Sequence, residues 1–311
     1  MQRDQWGRYT LPMNNTDFPF LSIIIPTYNR PGPLATCMQA LARLDYPHDR
    51  FEIIIVDDGG DSLCDTAAVS TGKKPSVKVI RQPHAGPAAA RNTGAASARG
   101  EFLAFTDDDC APASDWLTAL VARFTTAPAY AVGGRTLNAL HRNPYATASQ
   151  LLSDFIYAYY NSDADQARFF ASNNFAFPAN DFRAVGGFDE TYLRTAAEDR
   201  DLCDRWLSQG RRMIYAPEAV VYHAHALTFG SFWRQHFGYG RGAFNFHCSR
   251  ARRERAPIKI EPPSFYLNLL RSPFVQGHGR QALLLAGLLV VAQSANAAGF
   301  FWEKGTKSIH E

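Results

Sequence analysis

The amino-acid sequence predicts an α/β fold, a mostly parallel sheet flanked by helices on both faces, with a helical C-terminal appendage. Three observations carry that expectation. Short apolar runs alternate with segments of helical periodicity through the first half of the chain. The runs are nearly unbroken, as strands buried on both faces require. A polar cluster follows the carboxyl end of each run, the edge at which open α/β sheets bind ligands.

The first strand is expected over Leu21–Pro26, where Ile23, Ile24 and Ile25 stand together. Leu34, Met38, Leu41 and Leu44 then recur at helical spacing, with Pro33 placed to open the helix. Phe51–Val56, Val77–Ile80 and Glu101–Phe105 supply the next three strands. Alanine-rich Pro87–Ala98 is expected to be a helix with Gly100 at its exit, and Leu117, Leu120, Val121 and Phe124 share a helical face after Asp115. The second half is less regular, and His141–Phe170 is aromatic-rich. Asp199–Gln209 reads as a helix ended by Gly210, and Met213–Tyr215 and Ala219–Tyr222 read as further strands.

At 311 residues, 46% hydrophobic and 20% charged, the chain has the composition of a globular protein rather than a disordered one. A net charge of +3 gives no case for nucleic acid as a partner. Cys37, Cys64, Cys110, Cys203 and Cys248 are dispersed without C-x-x-C spacing, which reads as reduced thiols in a cytosolic catalytic domain. Met1–Pro19 is polar and lacks the apolar core of a signal peptide, leaving a cytoplasmic location, including the inner face of the cell membrane. The expected division is an N-terminal extension over 1–19, a catalytic domain over 20–245, and a basic linker with an apolar helical segment over 246–311.

In that last segment Ala282–Ala292 is wholly apolar, and a weaker run continues to Trp302. A spanning helix needs about 20 mostly apolar residues, so three placements fit: crossing a membrane, docking on its surface, or burial against the protein. Arg250, Arg252, Arg253 and Arg255 precede it, either as a solvated linker or as contacts for anionic headgroups. Peripheral membrane contact through 250–302 follows from the second alternative.

The chemistry concentrates in the loops. Thr27-Tyr28-Asn29, Asp57-Asp58-Gly59-Gly60, Gln82–Gly86 and Thr106-Asp107-Asp108-Asp109 each lie beyond a strand. Three consecutive carboxylates repel one another unless screened by a cation or water. Oxygen ligands select a hard ion, Mg2+ or Mn2+, over zinc. No G-K-[ST] follows Gly86 or Gly94, which disfavours a P-loop ATPase.

In order along the chain stand Ile25-Pro26-Thr27-Tyr28-Asn29-Arg30, Val56-Asp57-Asp58-Gly59, Ala90-Arg91-Asn92-Thr93-Gly94, Asp107-Asp108-Asp109, Val185–Glu190 and Glu198–Leu202. This series resembles the family 2 glycosyltransferases, inverting enzymes of GT-A fold, over roughly residues 20–240. The resemblance implies a nucleotide-diphosphate sugar donor, a divalent cation, and a saccharide or lipid-linked acceptor in polysaccharide or glycolipid synthesis. It places Pro26, Thr27, Tyr28 and Asp58 at the nucleotide base and Arg91 near the diphosphate. Asp107 would face the ribose and join Asp109 and His223 at the metal, with Asp108 beside them and His225 as a neighbouring candidate. Asn174 would lie beneath the donor sugar, although Ser172 replaces the family's glycine, and Arg241 would touch donor phosphate or acceptor. A nucleoside diphosphate leaves as a stabilised anion, so inversion needs only a base for the acceptor hydroxyl. The Glu198-Asp199 pair opens a helix whose N-terminus favours negative charge. The resemblance makes Asp199 that base and Glu198 a residue that orients the acceptor. A sugar nucleotidyltransferase, or a non-catalytic module that keeps the nucleotide pocket, is the alternative; the first lacks its usual glycine-rich loop here, and intact Asp107, Asp109 and Asp199 argue against the second.

Overall fold

The computed structural model describes residues 2–3, 9–10, 18–60, 75–192, 196–255 and 261–308. Most of the N-terminal extension, Cys64 and residues 256–260 of the basic linker lie outside them. Strands β1 (Gln2–Arg3) and β2 (Tyr9–Thr10) form a small antiparallel ribbon. The rest is organised by one eight-stranded sheet. In chain order its strands are β3 (Leu21–Thr27), β4 (Phe51–Asp57), β5 (Ser76–Arg81), β6 (Phe102–Phe105), β7 (Cys110–Pro112), β8 (Ala131–Asn138), β9 (Phe175–Pro178) and β10 (Met213–His223). Their spatial order is β5-β4-β3-β6-β9-β8-β10-β7, with β9 and β7 antiparallel to their neighbours and the remaining neighbours parallel.

Side chains along a strand alternate between the two faces, and each face has its own core. Ile23, Ile25, Ile53 and Ile55 pack with α1 (Pro31–Leu41) and α3 (Trp116–Thr126). Ile24, Ile54, Val56, Leu103 and Phe105 pack on the other side with α2 (Pro87–Ser97), α5 (Ala179–Val185) and α6 (Glu198–Ser208). Gly94 lets α2 press onto β3, since a Cβ there would lie 2.5 Å from a methyl of Ile24. This double burial explains why β3, β4 and β6 read as unbroken apolar runs.

The structure departs from the sequence reading in several places. The first helix opens at Pro31 rather than Pro33. The two strands expected over 213–222 are one strand whose register shifts between Ala216 and Val220. The aromatic stretch yields α4 (Pro144–Tyr160), capped by Asn143 Oδ1 accepting from the Tyr145 and Ala146 amides. Arg250 and Arg253 reach back to Asp201 and Asp204 on α6, so these two are taken up by the protein's own acids, while Arg252 and Arg255 stay exposed.

The C-terminal part is helical: α7 (Phe229–Glu254), α8 (Pro263–Val275) and α9 (Ala282–Ser308). Helix α7 runs unbroken through residues 245 and 246, where the sequence places a domain boundary. Thr228 starts α7 with a capping box, its Oγ1 accepting from the Ser231 amide while Ser231 Oγ accepts from the Thr228 amide. Helices α7 and α9 cross closely because Gly240 carries no side chain: a Cβ there would lie 1.9 Å from the Asn296 carbonyl oxygen. Gly238 faces open space. The two glycines therefore predict opposite outcomes in thermal unfolding. Gly238→Ala should gain roughly 1 kcal/mol of helix propensity, whereas Gly240→Ala should lose about 1–3 kcal/mol through overpacking.

Candidate active site

The loops beyond the strand ends and the helices α4, α6, α7, α8 and α9 enclose one cavity of about 1120 Å3. Pro26, Thr27, Tyr28, Asp58, Arg91, Asp107, Asp108, Asp109, Glu198, Asp199, His223 and His225 all line it. The parallel strands bring together at one edge residues that lie far apart in the chain.

At the outer end, Tyr28 stacks on His84 with ring centroids 4.4 Å apart, forming an aromatic platform. Asp58 organises the loop that carries His84. Its carboxylate accepts from the Ala85 amide (2.9 Å), the Gly86 amide (2.8 Å) and Gln82 Nε2 (2.7 Å), and meets His84 Nδ1 at 2.9 Å. His84 was missed as a site residue because the sequence showed its loop but not its pairing with Tyr28.

The acidic triplet splits into three environments, of which those of Asp108 and Asp109 share Arg30. Asp107, at the rim, accepts from Arg91 at 2.8 Å. Asp108 is buried, accepting from Thr27 Oγ1 at 2.8 Å and from Arg30 at 2.7 Å. Burial pushes its carboxyl up to about 6 despite Arg30 and Thr27, with the charges of Asp109 and Asp107 adding to the rise. Asp109 accepts from Arg30 at 2.8 Å and stands 3.2 Å from His223 Nε2. Burial would raise its carboxyl, but the hydrogen bond and charge of His223, with Arg30, hold it well below the usual carboxylate range. Burial lowers the His223 imidazole, yet Asp109 and Asp107 outweigh it and raise the group overall. At His225, burial and the His223 charge act downward.

Arg30 bridges Asp108 and Asp109, a role hidden in the sequence, where it reads as the last letter of a motif. It is 43% exposed, so the bridge can open without disturbing the core. Asp109, Cys110 and His223 bring one ligand atom each within 4.8 Å of one another. Burial pushes the Cys110 thiol well up, so it stays protonated and is no donor to a hard ion. A carboxylate and an imidazole remain, with Asp107 at the rim, and this set fits a divalent cation that keeps positions open for ligand oxygens.

Arg91 couples this corner to the opposite wall. Fully buried, it donates to Asp107 Oδ1 and to Glu198 Oε1 at 3.0 Å, while its Nε has no partner. Arg91 thus holds Glu198 through its Oε1, while the Glu198 side chain still lines the cavity. Asp199 follows it in the first turn of α6, where negative charge is favoured. Its Oδ1 accepts from the Arg200 amide at 2.7 Å and its Oδ2 from the Ser172 amide at 3.4 Å. Burial, then the adjacent Glu198 charge, pushes its carboxyl up to about 7. The residue before the pair, Ala197, has φ +104°, a left-handed conformation that costs an alanine roughly 1–2 kcal/mol. Strain of this kind collects at functional sites.

Two expected contacts are displaced. Asn174 is fully buried and does not line the cavity: Trp116 Nε1 donates to its Oδ1 at 2.8 Å, and its Nδ2 donates to the carbonyls of Arg135 and Ala219. Its neighbour Asn173 lines the cavity instead. Arg241 faces away from the cavity and donates to Glu303 on α9 at 2.7 Å. Tyr239 and Gly240 line it from that turn.

Comparison with known proteins places this architecture. The profile of Glycosyl transferase family 2 matches residues 22–186, and that of the N-terminal domain of galactosyltransferase matches 156–226. The pre-mycofactocin glycosyltransferase of Mycobacterium tuberculosis is 30% identical over 283 residues, covering 89% of this chain and 57% of its own. The chain thus spans a little over half the length of that curated relative. Among solved structures, a mannosyltransferase from Pyrobaculum calidifontis in complex with GDP-Man and Mn2+ superposes with a TM-score of 0.62 at 20% identity, covering 89% of this chain and 74% of that one. Residues 1–349 of S. aureus TarS, in complex with UDP-GlcNAc, superpose with a TM-score of 0.53 at 17% identity, covering 93% and 92%. These likenesses show the GT-A fold.

Proposed function

The chain belongs to the glycosyl transferase family 2, and from that premise we propose that it is a metal-dependent, inverting glycosyltransferase. It moves a sugar from a nucleotide-diphosphate sugar to an acceptor hydroxyl. The observation that carries this reading is the pairing, in one cavity, of a carboxylate held in its ionised form, Asp109 beside His223, with a carboxyl raised toward neutrality, Asp199. Perturbed groups of these two kinds cluster where chemistry is done.

In this reading residues 20–245 carry the transfer chemistry and 246–311 cover the acceptor side. The Tyr28–His84 platform takes the base, while Asp58 holds its loop in place. Arg91 and the rim carboxylate Asp107 flank the ribose and diphosphate. A divalent cation, Mn2+ or Mg2+, held by Asp109 and His223 with Asp107 would supply charge neutralisation for the departing diphosphate; the mannosyltransferase complex holds GDP-Man together with Mn2+. The chain's own residues do the rest. Asp199 takes the proton from the acceptor hydroxyl, so the oxygen attacks the anomeric carbon from the face opposite the diphosphate. Glu198 acts as a positioning residue, fixing Arg91 and through it Asp107.

The pH profile tests the base. Asp199 accepts a proton only when ionised, and its ionised fraction grows as pH rises through about 7. kcat/KM should therefore fall about tenfold per unit below that point and level off above it. A profile flat through neutrality would remove Asp199 from the role.

A further inference from the structure

The C-terminal helices present an apolar surface that the sugar-transfer site does not use. Helix α9 buries one side: Leu285, Leu288, Leu289 and Ala292 are covered, and Glu303 pairs with Arg241 of α7. Its other side is bare. Leu283 is 77% exposed, Leu284 54%, and Val290, Phe301 and Trp302 are exposed as well. Residues 283, 287, 290, 294, 297 and 301 follow helical spacing and give a stripe on which Ser294 is the sole polar side chain. From Leu283 to Trp302 it runs roughly 28 Å at helical rise. Helix α8 adds Leu267, Phe274 and Val275, the last 83% exposed, and six residues separate its end from the start of α9.

Charge says what covers this surface. Between residues 262 and 308 the one acid is Glu303, which is buried, while Arg271, Arg280, Lys304 and Lys307 are all exposed. An apolar face whose exposed charged residues between 262 and 308 are all cations complements an anionic bilayer. Helix α9 is long and apolar enough to cross a membrane. Its close crossing with α7 at Gly240 and its Glu303–Arg241 pair hold it against the domain, so it lies along the surface instead.

The cavity reaches the same face. Tyr266, Ala297 and Phe301 line it and are themselves exposed, and Phe301 belongs to the α9 stripe. Behind this mouth, Leu152, Ile156, Phe265 and Phe300 give apolar walls. Deeper in, Gln235 Oε1 and His236 Nδ1 are buried without a protein partner, in residues that line the cavity. Such groups are costly unless a bound molecule or water satisfies them.

We propose that the exposed faces of α8 and α9 dock on an anionic lipid bilayer, and that the cavity opens there to receive an acceptor carried in that bilayer by an apolar chain. The acceptor's position rests on the glycosyl-transfer reading; the docking face does not.

The test uses the full chain and vesicles of phosphatidylcholine alone or mixed with phosphatidylglycerol. The protein should co-sediment with the mixed vesicles and much less with phosphatidylcholine alone. Leu283→Glu combined with Leu284→Glu should weaken that binding at least about tenfold, because both side chains leave an apolar phase. Brominated lipid should quench tryptophan fluorescence in the native protein, and Trp302→Phe should remove most of the quenching. Nucleoside diphosphate affinity in Mn2+, read by calorimetry, should be unchanged in the Leu283/Leu284 variant, showing an intact fold. Equal vesicle binding by that variant, or no quenching, overturns the docking face. Vesicle binding without Mn2+-dependent nucleotide binding would instead sink the glycosyl-transfer reading, and with it the acceptor's position.

Discussion

Asp199→Asn should cut the transfer rate by roughly 10²–10⁴, the usual share of a positioned general base, while leaving donor affinity within error of the native protein. The asparagine keeps one acceptor oxygen for the Arg200 amide, the 2.7 Å contact, and gives up only the 3.4 Å contact from the Ser172 amide, so the start of α6 should hold its shape. What it loses is the ability to take a proton. The Glu198–Arg91–Asp107 chain does not pass through Asp199 and stays in place. Initial rates against donor concentration separate the outcomes: kcat should collapse while KM for donor barely moves. A variant with native kcat would show that another group takes the proton. A variant that fails to bind donor would show that Asp199 holds the substrate instead.

Asp109→Asn should act at the other step. The amide can still accept from Arg30 or meet His223, so little of the fold is at risk, but its charge is gone. Residues that only support a metal ligand typically cost 10–100-fold in affinity when changed. Loss of the ligand itself should therefore weaken Mn2+-dependent donor binding by about 100-fold or more. The raised imidazole of His223 owes its shift chiefly to Asp109 against the effect of burial, so in the variant it should titrate at lower pH. Proton NMR of the His223 ring would report that change independently of any ligand. Unchanged donor affinity in Mn2+ would mean that the cation, if bound, sits elsewhere.

Much of the donor half was legible in the sequence, for a physical reason. Strands buried on both faces leave unbroken apolar runs, and β3, β4 and β6 start and stop within a residue or two of the expected limits, as does the largely exposed edge strand β5. The loops after them must then share one edge, which is why Thr27, Asp58, Asp107 and Asp109 converge. The antiparallel β9 was not legible, because four residues beyond the aromatic stretch carry no period of their own. Helix α7 was hidden by its glycines. Gly238, Gly240 and Gly242 argue against a helix locally, and only the packing of Gly240 on Asn296 and of Gly242 on the Ala196 carbonyl accounts for two of them.

The misplaced side chains follow the same logic. Asn174 sits beside a genuine lining residue in the turn that precedes β9, and nothing in a linear motif says which of the two faces in. Arg241 lies one residue from Gly240, and its partner, Glu303, is 62 residues away. Arg30 and His84 were missed for the complementary reason. Each matters through a partner brought close by another strand of the sheet: Asp108 and Asp109, after β6, for Arg30, and Tyr28, after β3, for His84.

The central claim is that the acids ending β6 hold a cation on which the donor's diphosphate depends. Calorimetric titration of UDP and GDP into the native protein, first in Mn2+ and then in excess EDTA, tests it most directly. At least one nucleotide should bind in Mn2+ and lose about tenfold or more of its affinity once the ion is removed. Equal affinity for that nucleotide in both solutions would contradict the account.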